Sequence, residues 1–170
     1  RRLEPDDDRT VFRSGDIDLD RFFQRFAGQN QFRHHIGTTY VAVLGERVVG
    51  YATVSAGEMS AESLPRPLRR RLPSYPLPVI RLARLAVDES FHRPGAGNLA
   101  LRSVLPPAPD HTERAGCVGV VVDSKPGSVS FYQKLGFTAL GVVSGVLGDR
   151  PEPLPMFLPI SHIASAANRR

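Results

Sequence analysis

Two stretches carry residue types and spacings that suit chemistry. The first is His92-Arg93-Pro94-Gly95-Ala96-Gly97. It follows an apolar run, Leu82 to Val87, and precedes Asn98-Leu99-Ala100-Leu101-Arg102-Ser103-Val104-Leu105, which reads as a helix start. A strand, a glycine-rich turn and a helix N-terminus make an anion site: successive N–H groups point into the turn and the helix dipole adds partial positive charge. Gly95 and Gly97 let the backbone approach a phosphate with no Cβ in the way. The expected occupant is a pyrophosphate-bearing ligand. The second stretch is basic. Arg66, Arg69, Arg70 and Arg71, followed by Arg81 and Arg84, can steer a polyanion such as RNA or form a solvated face. His34 and His35 are adjacent and so point apart on any regular element, and no metal site is proposed. Glu58 is a candidate base by residue type alone.

The bulk numbers bound what can hold these groups. A chain of 170 residues with 41% apolar content suits one domain, residues 1–170, with a real core. The balance of 22 Lys and Arg against 17 Asp and Glu gives +5. No stretch approaches the roughly 18 apolar residues a membrane helix needs, and no signal peptide is apparent. A start without Met reads as a trimmed chain. The single cysteine, Cys117, lies in an apolar run and reads as a buried thiol in a reducing cytoplasm.

Taken in order, residues 1–13 predict an irregular start or short edge strand. Asp16 to Phe26 has helical period, with Leu19, Phe22, Phe23 and Phe26 on one apolar face and early aspartates at the positive end. Gln29 to Gly37 predicts a helix end and loop. Thr38–Leu44 and Val48–Ser55 predict a hairpin across Gly45-Glu46-Arg47. Residues 56–78 predict loop with one short helix over Leu64–Leu72, Pro65 or Pro67 near its start. Val118–Asp123 predicts a buried strand. Pro126 opens a helix over 127–135, with Ser124 or Lys125 as cap and Gly136 as stop. Pro106, Pro107 and Pro109 cut the helix after the glycine loop. Phe137–Val143 and Met156–Ile160 predict two closing strands, and residues 161–170 a frayed tail.

This order resembles the GCN5-related N-acetyltransferase (GNAT) fold: α/β (α+β), a mixed central sheet flanked by helices, acyl-CoA in the split between the central strands. His92-Arg93-Pro94-Gly95-Ala96-Gly97 stands where that family has Gln/Arg-x-x-Gly-x-Gly/Ala. Phe131-Tyr132-Gln133-Lys134-Leu135-Gly136-Phe137 is similar to its later helix ending Phe-Tyr-x-x-x-Gly-Phe. The strings GDIDLDRFFQRFAGQNQ, VVGYATVSAG and PVIRLARLAVDESFH look more narrowly like the GNAT toxins of bacterial toxin–antitoxin pairs, over most of residues 13–160. The lack of a P-loop lysine with Ser/Thr, together with Phe131-Tyr132, narrows the pyrophosphate ligand to acyl-CoA.

The resemblance implies an acetyl-CoA-dependent enzyme that acetylates the α-amino group of aminoacyl-tRNA and blocks translation. It also implies no metal, a ribbon-helix-helix antitoxin partner, a homodimer and a cytoplasmic location. Backbone groups of Leu85, Ala86 and Val87 pair with the pantetheine arm like an added strand. Loop residues His92, Arg93, Pro94, Gly95, Ala96, Gly97 and Asn98 hold the pyrophosphate. Tyr132 protonates the departing thiolate, and Arg66, Arg69, Arg70, Arg71 and Arg84 meet the tRNA backbone. Two alternatives stay open. One is an acetyltransferase acting on a protein N-terminus or small amine. The other is a non-catalytic, partner-binding member, because Pro94 removes an N–H from the loop and Lys125 and Ser128 depart from the family's second motif.

Overall fold

The computed structural model describes residues 1–92, 116–140 and 153–162. Arg93 to Asn98, the helix expected over 98–105 and the Pro106–Pro109 break lie outside the described residues, as do 141–152 and the tail from 163. Six strands form one hydrogen-bonded sheet: β1 (Thr38–Leu44), β2 (Arg47–Met59), β3 (Leu77–Val87), β4 (Gly119–Ser124), β5 (Thr138–Ala139) and β6 (Leu154–Pro159), in the order β1-β2-β3-β4-β6-β5. The sheet and its flanking helices match the expected α/β architecture. The helices are α1 (Ile17–Arg21), α2 (Arg66–Arg69) and α3 (Val129–Lys134).

The chain divides into two compact units. In the first, residues 1–55 with 82–92, β1 and β2 pair antiparallel from Thr38↔Val54 to Leu44↔Arg47, with a register shift between Ala42 and Val43. Gly45 turns the hairpin at φ +61, where a side chain would be strained. The N-terminal residues cover the outer edge of β1: Leu3 donates from its amide to Thr39 O, and Val41 to Arg1 O. The core gathers Leu3, Phe12, Phe22, Phe23, Ala27, Val41, Val48, Tyr51 and Ala86. Residues 1–13 are irregular apart from an antiparallel bridge, Arg2 to Tyr40, and burial of Leu3 and Phe12 ties them into the core.

The stripe on the first helix is only partly right. Asp16 caps α1, accepting from the amides of Asp18 and Leu19. Two π-helical turns come next, Phe22–Phe26 and Gln29–Arg33, in which bonds close five residues back, as from the Ala27 amide to Phe22 O. The wider turn carries Phe26 round from Phe23, so Phe26 is 44% exposed while Phe22 and Phe23 are buried. The helix runs on through Arg33, so the helix end expected between Gln29 and Gly37 falls there. Gln31 holds that continuation: its side chain donates to Leu3 O at 2.8 Å and accepts from the Thr39 amide at 2.7 Å.

In the second unit, residues 56–81 with 116–140 and 153–162, β4 pairs antiparallel with β6 from Gly119↔Pro159 to Ser124↔Leu154, and β5 pairs with β6. Its core holds Ala61, Leu64, Leu77, Val79, Val121, Leu140 and Phe157, with Met59, Leu68, Leu72 and Val118 packed against it. The helix expected over 64–72 shrinks to Arg66–Arg69 behind a 3₁₀ turn at Ala61–Ser63, with Pro65 at its N-cap and Pro67 in its first turn. Cys117 is half-buried, its thiol donating to Gly119 O.

Candidate active site

Tyr132 sits in the middle of α3, and the residues after it fix its place. The helix is entered through a 3₁₀ turn, Pro126–Ser128. Of the two expected caps, Lys125 holds the N-cap position, its carbonyl accepting from the Ser128 amide at 2.9 Å without a side-chain cap bond; the Ser124 hydroxyl donates to Lys125 O, and Pro126 has no N–H to satisfy. The exit is a Schellman turn. Gly136 adopts φ +92 and donates to Gln133 O, and Phe137 donates to Tyr132 O at 3.1 Å. Only a residue free of the Cβ penalty suits that φ, which explains the glycine in the motif. The turn brings the Phe137 ring edge-on to Tyr132, centroids 5.4 Å apart, and Phe131 closes the other side at 5.1 Å.

This packing leaves Tyr132 8% exposed. Burial pushes its phenol up to about 12, so the ring is fully protonated across the neutral range. The hydroxyl makes no hydrogen bond among the described residues. The buried side-chain atoms without partners there belong to Arg9, so the unpartnered Tyr132 hydroxyl retains access to solvent. A buried aromatic body with an accessible, unspent O–H is poised to donate a proton.

In the first unit, β3 ends at Val87, and a single buried carboxylate organises the turn beyond it. Asp88 is 2% exposed. Its Oδ2 accepts from the Arg13 amide at 3.1 Å; its Oδ1 accepts from the Ser90 amide at 3.1 Å, from the Ser90 hydroxyl and from Arg47 Nη2 at 2.9 Å. Burial alone would raise its pKa. The Ser90 hydroxyl, the two amides and the Arg47 guanidinium outweigh that and hold it below the usual carboxylate range. A 3₁₀ turn, Glu89–Phe91, then delivers His92, whose Nε2 lies 2.9 Å from Val87 O; since a carbonyl only accepts, Nε2 carries the hydrogen. Of the residues expected to hold acyl-CoA, Leu85 and Val87 are half-buried, Ala86 is buried in the core and His92 is exposed. Arg93, Pro94, Gly95, Ala96, Gly97 and Asn98 lie outside the described residues.

The arginines fall into two environments. Arg66, Arg69, Arg70 and Arg71 are exposed on and just after α2 and form no ion pair among the described residues. Arg81 pairs with Asp123. Arg84 is half-buried, its guanidinium carbon 4.1 Å from the centroid of Phe22, so its flat face is already used. Glu58 is exposed on β2 with no hydrogen bond or ion pair among the described residues. His34 and His35 are exposed, and no group of three or more His, Cys, Asp or Glu among the described residues is placed to hold a metal. Asp88 and Gln31 are the residues that sequence reasoning missed. A lone Asp after a strand and a lone Gln in a polar run carry no periodic signal, because their partners lie 75 and 41 positions away for Asp88 and 28 for Gln31.

The model of the acetyltransferase (GNAT) family matches residues 4–137. A tRNA-acetylating toxin of Mycobacterium tuberculosis is 34% identical over 105 residues, 62% of this chain and 62% of that protein, so the match spans less than two thirds of the relative's length. Among solved structures, AtaT complexed with acetyl-methionyl-tRNAfMet superposes with a TM-score of 0.83 at 21% identity, covering 99% of this chain and 98% of that one. A mutant of KacT gives 0.77 at 24% identity over 94% and 91%. AtaTR bound with AcCoA gives 0.77 at 23% over 98% and 96%. At these identities the structural likeness shows the fold. Among the described residues no helix is long and apolar enough to cross a membrane.

Proposed function

The chain belongs to the acetyltransferase (GNAT) family, and on that premise we propose that it is an acetyl-CoA-dependent N-acetyltransferase, a single GNAT domain that acetylates the α-amino group of aminoacyl-tRNA and so stops translation. The observation that carries the reading is Tyr132: an enclosed, fully protonated phenol whose hydroxyl has no partner among the described residues. The relative named a tRNA-acetylating toxin and the AtaT complex with acetyl-methionyl-tRNAfMet support the choice of acceptor. The AtaT complexes with acetyl-CoA and with the antitoxin AtaR, and the KacTA–DNA complex, support an acyl donor and an antitoxin partner. We extend this to a ribbon-helix-helix antitoxin, a homodimer and a cytoplasmic site of action.

The amine nitrogen attacks the thioester carbonyl carbon, the C–S bond breaks, and the Tyr132 hydroxyl gives its proton to the departing sulfur. The proton lost by the amine passes to solvent, and solvent returns one to the phenolate. The backbone of Leu85, Ala86 and Val87 is assigned to pantetheine and the loop from His92 to Asn98 to pyrophosphate. No strong base is required of the chain. An α-amino group titrates near about 7.7–8.0, so roughly a tenth is neutral at pH 7, whereas a lysine near about 10.4 is neutral about once in a thousand molecules. The exposed Arg66, Arg69, Arg70 and Arg71 supply phosphate contacts that position tRNA without reading its sequence, and Arg84 adds to them from β3 only if it leaves the Phe22 ring.

The test is incubation with labelled acetyl-CoA, charged tRNA, a peptide and a polyamine. Label on the aminoacyl-tRNA is expected. Unlabelled tRNA beside an acetylated peptide or polyamine would move the acceptor to a protein N-terminus or small amine. No rise in melting temperature with millimolar acetyl-CoA would make the chain a non-catalytic, partner-binding member, since a ligand of the native state must raise it.

A further inference from the structure

We propose that Asp88 is a positioning residue for acyl-CoA binding: it ties the approach to the loop that begins at His92 and the approach to α1 into one frame. The proposal rests on the acyl-CoA reading of that loop. Four donors converge on its carboxylate from three separate stretches: the segment leading into α1 (the Arg13 amide), the hairpin (Arg47 Nη2) and the turn itself (the Ser90 amide and hydroxyl). Its own amide donates to Val49 O at 2.9 Å, locking its backbone to β2. The two approaches are then bonded directly, Glu89 amide to Arg13 O at 2.7 Å. From Asp88 the order passes down the turn, Phe91 amide to Asp88 O and His92 amide to Glu89 O. The Arg47 guanidinium lies 5.7 Å over the Phe91 ring.

The residue type is dictated by the geometry. An ionised Asp only accepts, and every neighbour here donates. Asn presents an NH₂ that must face one of those donors, and Glu is a methylene too long for a site this buried. Asp88 directly follows Val87, the last of the strand residues assigned to pantetheine, and four residues on the chain reaches His92, so a tilt of the turn shifts both the strand end and the start of the loop. Binding of that kind depends on placement to a fraction of an ångström.

The experiment measures acetyl-CoA affinity by calorimetry and steady-state kinetics for the wild-type chain, Asp88→Asn, Arg47→Ala and Ser90→Ala. Arg47 is half-exposed and Ser90 is exposed, so the last two remove a bond to the carboxylate without opening the core. The expected result is a loss of acetyl-CoA affinity of about tenfold in Asp88→Asn and about threefold in the other two, with the KM for the amine acceptor and kcat at saturating acetyl-CoA within about twofold of wild type. A purely structural role would lower the melting temperature and leave the KM for acetyl-CoA alone, and that outcome overturns the proposal. If Asp88→Asn does not fold, Arg47→Ala and Ser90→Ala decide it, unchanged affinity in both counting against it. If wild type itself fails to bind acetyl-CoA, the acyl-CoA reading falls, and the proposal with it.

Discussion

Tyr51 in the first unit and Tyr132 in the second are both buried, and they differ in what their hydroxyls meet. Tyr51 lies in the first unit, fully buried, stacked on Phe23 at 4.3 Å and 8° and edge-on to Phe12 at 5.4 Å. Its hydroxyl donates to Leu19 O at 2.8 Å. Tyr132, in the second unit, is similarly enclosed by Phe131 and Phe137, but its hydroxyl has no partner among the described residues. Burial raises both phenols, Tyr51 further. On the proposed mechanism, what separates the two is whether the O–H has been used. A buried hydroxyl normally finds a partner because an unmade bond costs about 1–3 kcal/mol. The Tyr132 hydroxyl escapes that cost by keeping access to solvent, and among the described residues no protein group occupies it.

The largest stability effect belongs to Tyr51. Tyr51→Ala empties the centre of the Phe12, Phe22 and Phe23 cluster and is expected to cost about 3–5 kcal/mol by denaturant unfolding. Gly136→Ala tests the support of the other ring. It forces a side chain to φ +92 and should cost about 1–2 kcal/mol, and it should also lower kcat by tilting Tyr132. A stable variant with full activity would show that the Schellman turn does not set the ring. Tyr51→Phe removes only the bond to Leu19 O: about 1 kcal/mol of stability goes and kcat stays. If kcat falls as well, the two tyrosines do not divide structure from chemistry.

The smallest effect is alkaline. A phenol whose folded pKa is raised favours the folded state below its ordinary value near 10, and that contribution is lost as pH rises through the folded value. For Tyr132 that window runs from about 10 to about 12. Tyrosinate absorbance titrated in wild type, Tyr132→Phe and Tyr51→Phe should show by difference that the Tyr132 step comes at lower pH than the Tyr51 step. The reverse order would contradict the burial argument.

The same contrast explains what the sequence made legible. Local chemistry wrote the hairpin at Gly45, the glycine stop at 136 and the Phe-Tyr motif, because each depends on residues within a few positions. The run VGVVVD announced β4 by continuous apolar character. Phe26 misled, because a 3.6-residue period assumes α-helical turns and nothing in FFQRF signals a π turn. The shrinking of the 64–72 helix comes from its prolines, which tertiary packing of Leu64, Leu68 and Leu72 left in shorter turns. Asp88 was invisible in principle. Its role is a convergence of residues 13, 47 and 90, and only folding brings them together.

The most direct measurement compares wild type with Tyr132→Phe in acetyl transfer from acetyl-CoA to charged tRNA, with acetyl-CoA affinity measured in parallel. Loss of one positioned proton donor predicts a kcat lower by about a hundredfold or more, with affinity for acetyl-CoA within about threefold. Unchanged kcat at unchanged affinity would remove Tyr132 from the mechanism.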